Sequence, residues 1–177
     1  DILANHGVHV AGTDFDRRVE LASILPLAGY RALRPPLSKD AGEPPRELPS
    51  GIYFDLATWH LINTLYSPAR LAELRSMKGW YVDARHYQRL LAVLTRRLGH
   101  ALAAAAEEAK IAVAEAGVAS IDLDLWEPAL SASFDEAAAA EALRTDFEQI
   151  VGAAHEALRQ AGVGADAVDA VYFTGGS

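Results

Sequence analysis

The chain has 177 residues, 51% hydrophobic and 23% charged, a globular composition large enough for one domain or two small lobes. A net charge of −8 argues against a nucleic-acid partner or an anionic membrane surface, because counterion release needs clustered Lys and Arg. The lack of cysteine removes disulfides and thiolate metal sites and fits a reducing cytoplasm, and no apolar run approaches the ~20 residues of a membrane span.

In chain order, residues 2–4 read as the end of a strand and residues 7–12 as a loop. Thr13 is a suitable N-cap, with Asp14 and Asp16 in the first turn, where carboxylates favour the helix dipole. That helix places Phe15, Val19, Ala22 and Leu25 on one face and stops near Pro26. Residues 29–51 hold five prolines and three glycines and predict little regular structure. Residues 54–66 and 68–77 read as two short helices split by Pro68, with Gly79 after them.

Asp83 caps the longest predicted helix, 84–116, whose stripe is Leu91, Leu94, Leu98, Leu102, Ala105 and Ala109; Gly117 ends it. Ile121, Leu123 and Leu125 alternate with aspartates, and Leu130, Ala132 and Phe134 return, which predicts a hairpin. Residues 136–161 are helical, with Phe147, Ile150, Val151, Ala154 and Leu158 as the buried face. Thr145 and Glu148 form a capping-box pattern that predicts a kink or restart. Residues 168–173 read as a buried strand leading into Gly175-Gly176-Ser177. A start at Asp1 next to a strand, and an end on a Gly-Gly turn, read as a piece of a larger domain.

Three segments can carry chemistry. Ala11-Gly12-Thr13-Asp14-Phe15-Asp16 is a tight turn entering a helix, which either presents unpaired N–H groups to an anion or is an ordinary capped helix. Glu107, Lys110 and Ala114 share a helix face away from the leucine stripe; Glu and Lys there suit ribose hydroxyls and a base, or form a solvated pair. Gly175 and Gly176 after an apolar strand let backbone approach a flat ligand, or make a generic turn. The six histidines show no metal-ligand spacing, and His100 reads as structural. Trp59, Tyr66, Trp80 and Tyr81 are either a small core of their own or a partner patch.

The order and spacing of AGTDFDRR (11–18), AEEAKIAV (106–113) and VYFTGGS (171–177) resemble the second lobe of the actin-like ATPase domain of the 70-kDa heat-shock (DnaK-type) chaperone family. The likeness covers residues 1–25 and 84–177, and the long stretch 29–82 is similar to the divergent YegD-like branch. It implies a mixed α/β (α+β) fold, long helices with a small sheet and a hairpin. Residues 13–134 would be an outer subdomain with an enlarged insert at 29–82; residues 1–12 and 135–177 would be part of an inner one. It also implies ATP or ADP with Mg²⁺ as cofactor. Gly12 and Thr13 would lie near the ribose, Glu107 and Lys110 would contact the adenosine with Ile111 against the base, and Gly175, Gly176 and Ser177 would pass beneath it. An exchange factor or co-chaperone would sit on the outer subdomain.

This sequence departs from the family at Ala11, Thr13 and Ala114, where the family has glycine, an acid and serine. No phosphate-gripping G-x-x-x-x-G-K loop is present, so no catalytic residue and no metal ligand is assigned. Two other readings stand beside this one. One is a nucleotide-independent interaction module using the enlarged outer subdomain. The other is a different actin-like protein, such as a sugar kinase or a filament subunit.

Overall fold

The computed structural model describes residues 2–36 and 44–172. Its elements form a mixed helical and β chain with two small antiparallel two-stranded sheets, and no described helix is long and apolar enough to cross a membrane.

Helix α1 (Gly12–Val19) starts one residue before the expected cap. Thr13 is therefore the second helical residue, and Ala11 takes the N-cap position. Alanine has no acceptor, so only the return half of a capping box forms: the Ala11 N–H donates to Asp14 Oδ2 at 2.9 Å. The helix runs on as a π-turn, Glu20–Ile24, and a 3₁₀ turn, Leu25–Ala28. Pro26 sits inside that 3₁₀ turn rather than ending the helix before it. The wider π-turn carries Glu20, Leu21, Ile24 and Leu25 inward and leaves Ala22 exposed, against the expected face. Gly29 closes the segment at φ +94°, where a Cβ would lie 3.0 Å from His86 Cβ and 3.2 Å from Tyr53 Oη.

The proline-rich stretch is largely irregular, with one short ladder, β1 (Leu33–Arg34) against β2 (Arg46–Glu47). Helix α2 (Gly51–Leu56) ends earlier than expected, and the chain reforms only a 3₁₀ turn at Ile62–Tyr66. Thr58 and Thr64 donate their hydroxyls to Phe54 O at 2.7 Å and Leu61 O at 2.6 Å, local bonds that compete with a continuous helix. Pro68 opens helix α3 (Pro68–Ser76), where its missing N–H costs nothing, with Ser67 as N-cap.

The expected single helix 84–116 is two helices, α4 (Ala84–Arg96) and α5 (Gly99–Ala116). Arg97 takes φ +56° between them. The cause is tertiary. A Cβ on Gly99 would lie 2.5 Å from Ile62 Cγ2 and 2.8 Å from Tyr66 Oη, so α5 starts pressed onto the 62–66 turn. The Gly99 N–H donates to Tyr66 Oη at 3.0 Å. Leu56, Leu65 and Leu74 from the 29–82 stretch pack in one core with Leu90, Leu94 and Leu102. Tyr81 is buried and its hydroxyl meets that of Tyr53 at 3.1 Å, whereas Trp59 is 59% exposed. The aromatics of this stretch thus divide between the shared core and the surface.

The hairpin forms as strand β3 (Val118–Asp122) against β4 (Ser131–Asp135), with Ile121 opposite Ala132. It begins earlier than the alternation suggests, because Leu123 and Trp126 turn inward within the connection. Trp126 Nε1 donates to Arg89 O at 3.0 Å, and Arg89 Nε pairs with Glu127 at 2.7 Å.

Helix α6 (Glu136–Ala161) is unbroken, so Thr145 neither kinks nor restarts it. Arg144 and Glu148 lie one turn apart at 3.9 Å across that point. The helix is fastened by Arg18 Nε to Asp146 Oδ2 at 2.9 Å and by the Phe15 and Phe147 rings, 5.6 Å apart. The expected buried face is corrected: Phe147, Ile150 and Val151 are 46%, 36% and 55% exposed. Periodicity identifies the apolar face of a helix but does not supply what covers it. The same reason applies at two expected strands. Residues 2–4 and 168–172 form none, since no strand among the described residues lies beside them to complete a ladder.

Candidate functional site

Two segments remote in sequence meet where α1 crosses α5. Asp14 and Asp16 stand on the first turns of α1. Asp14 Oδ1 holds Arg17 at 3.0 Å, and Lys110 Nζ on α5 reaches 2.7 Å from Asp16 Oδ1. The latter contact is electrostatic and lies off the direction of a hydrogen bond. Both partners are largely shielded, with 11% of the Lys110 side chain and 21% of the Asp16 side chain exposed.

A cleft of about 500 Å³ opens beside this pair. Thr13, Asp14, Asp16, Arg17 and Glu20 come from α1 and the π-turn, Ala103 and Glu107 from α5, and Ala57 to His60 from the turn after α2. Of the residues expected from the sequence, Thr13 and Glu107 line it, and Lys110 adjoins it through Asp16. Gly12 precedes Thr13 and is half-buried. Ile111 is 45% exposed, one residue beyond Lys110. Gly175, Gly176 and Ser177 lie outside the described residues. Glu107 makes no ion pair or hydrogen bond among the described residues.

Glu20 was not expected. It is 1% exposed, and burial alone pushes its carboxyl up to about 8. Its Oε1 has no hydrogen-bond partner among the described residues. The signal was present in the sequence, an acid between Val19 and Leu21 in a run that continues with Ile24 and Leu25. Trp59 and His60 also escaped, since only the packing of the turn on α5 brings them here. The Trp59 ring meets His100 at 4.5 Å.

A second cleft, of about 560 Å³, lies between the 18–31 segment and α6. Its guanidiniums are engaged: Arg18 with Asp146, Arg144 with Glu141, and Arg31 over the Tyr30 ring. Among the described residues no three His, Asp or Glu are grouped to hold a metal ion. What the first cleft offers is binding chemistry: carboxylates and a hydroxyl as acceptors, with an indole wall. Comparison with protein-family models, with curated proteins and with solved structures returns no match to this chain.

Proposed function

We propose that this chain is an adenine-nucleotide-binding lobe of a chaperone-like ATPase, similar to the 70-kDa heat-shock (DnaK-type) family. The observation that supports the reading is the meeting of segments 11–18 and 106–113 at Asp16 and Lys110, with Thr13 and Glu107 on one cleft. In this reading the Glu107 carboxylate accepts hydrogen bonds from ribose hydroxyls, as a free carboxylate can from two donors. The Thr13 hydroxyl supplements it, Gly12 allows close backbone approach, and the exposed Ile111 gives the base an apolar surface. Lys110 keeps α5 in register with α1 and lends positive charge near the nucleoside. Gly175, Gly176 and Ser177 belong to the same proposal.

ATP with Mg²⁺ supplies the transferable phosphoryl group when bound. Among the described residues no three His, Asp or Glu side chains are grouped to hold a metal ion, and no catalytic step is assigned to this chain. Glu107→Ala tests the reading. Loss of a charged hydrogen-bond acceptor weakens ADP binding about tenfold in calorimetry, with no change in melting temperature. An unchanged affinity contradicts it.

A second reading is a nucleotide-independent interaction module, with a partner protein on the enlarged outer subdomain, residues 13–134. The exposure of Phe54, Trp59 and Val82, at 40%, 59% and 73%, favours it.

A further inference from the structure

The cleft beside α1 and α5 has a buried acid at its floor that the nucleotide reading does not use. Glu20 is 1% exposed and lines the cleft, yet its Oε1 meets no donor among the described residues. An unpartnered carboxyl in an apolar setting is costly to keep, and a carboxylate there is costlier still. Four carboxyl side chains, Asp14, Asp16, Glu20 and Glu107, line the cleft against one guanidinium, Arg17. Asp14 is committed to Arg17 and Asp16 to Lys110. Glu20 and Glu107 pair with no cation among the described residues.

The other wall is aromatic. Trp59 is 59% exposed and braced by His100, whose ring lies 4.5 Å away at 63°. An indole face attracts an organic cation through its quadrupole. A volume of about 500 Å³ accommodates a side-chain-sized group. A guanidinium fits better than an ammonium on chemical grounds. It is planar, stacks on an aromatic face, is weakly hydrated, and forks two N–H groups onto one carboxylate.

We propose that this cleft binds a guanidinium group, stacked on Trp59 and donating hydrogen bonds to Glu20 and Glu107. The inference goes beyond the nucleotide reading and meets it only at Glu107, where a nucleoside and a guanidinium compete.

Calorimetric titration of the chain with three probes tests it. N-acetyl-arginine amide stands for an arginine of a partner polypeptide, agmatine for a free small cation, and N-acetyl-citrulline amide for a neutral isostere. The expected result is saturable binding of at least one cation, with the citrulline compound weaker by about tenfold or more. Glu20→Gln, which keeps shape but cannot ionise against the cation, weakens it by a similar factor. Trp59→Ala, at an exposed position, weakens it about threefold. Tighter binding of the arginine amide assigns the group to a polypeptide, and tighter binding of agmatine to a free small guanidinium compound; either ordering supports the site.

Equal affinity for the citrulline compound overturns the proposal. So does the absence of saturable binding by both cations, or indifference to both substitutions. Failure of ADP to bind leaves these outcomes untouched, so the two readings fail separately.

Discussion

Lys110 Nζ on α5 lies 2.7 Å from Asp16 Oδ1 on α1, and this contact joins two segments that are far apart in the chain. A partly buried ion pair is worth more than a surface one, because removing one partner leaves the other desolvated and uncompensated. Lys110→Ala therefore lowers stability by about 1–2 kcal/mol, between the surface and buried limits. Adding Asp16→Ala recovers part of the loss. Denaturant midpoints of the two single variants and the double variant measure the coupling, and strict additivity would show that the pair contributes nothing.

Glu20 gives a pH signature of definite sign. Its ordinary value is 4.5 and burial raises it to about 8 in the folded chain. Between those values the folded state holds a proton that the unfolded chain has released. Stability therefore falls as pH rises through that window, by at most about 1.4 kcal/mol per unit, and levels off above it. Asp14, Asp16, Arg17, His60 and Glu107 share its cleft, and Tyr66 lies within its field. Comparison with Glu20→Gln isolates the contribution of Glu20. The variant should lose the Glu20 part of the slope and gain stability at alkaline pH. Identical slopes in the two proteins would contradict the assignment.

Two glycines make a matched pair. Gly99→Ala forces a Cβ to 2.5 Å from Ile62 Cγ2 and should cost about 1–3 kcal/mol through overpacking. Gly152 lies within α6 with open space around it, and Gly152→Ala should stabilise by about 0.5–1 kcal/mol. Thermal melts of both decide the matter, and equal effects would mean that the break between α4 and α5 is not set by packing on the 62–66 turn.

Arg18 is what holds α6 at its centre. Asp146 is 3% exposed and loses its countercharge in Arg18→Ala, which should cost about 2–3 kcal/mol. Asp146→Asn retains an acceptor for Arg18 and should cost less. The reverse order, read from denaturant midpoints, would show that packing of the Arg18 stem matters more than its charge.

Much of the fold was legible because it rests on local rules. Asp83 caps α4 through its own side chain, at Arg85 N. Gly117 ends α5 in the left-handed conformation that a glycine favours. The hairpin follows from alternation. What failed rests on contacts between distant residues. Arg97 carries no mark of a helix break, and the break follows from Gly99 meeting Ile62. The π-turn at 20–24 redirects the apolar face by one residue and takes Glu20 inside with it.

The stripe of α6 is legible as apolar but not as exposed: Phe147 meets the Phe15 ring and is still 46% exposed, and Val151 is 55% exposed. At the cleft, Thr13 and Glu107 could be named from motif spacing. Trp59 could not, because only folding brings that surface turn to the cleft; Glu20 shows in the sequence as an acid set in an apolar run, but not as part of the cleft.

The most direct test of the nucleotide reading is an ADP titration of the isotope-labelled chain followed by amide chemical shifts. The account predicts saturable shifts confined to the first turns of α1 around Gly12 and Thr13, to the Glu107–Ile111 stretch of α5 and to Gly175, Gly176 and Ser177, with their loss in Glu107→Ala. Shifts elsewhere, or none with ADP in large excess, would contradict it.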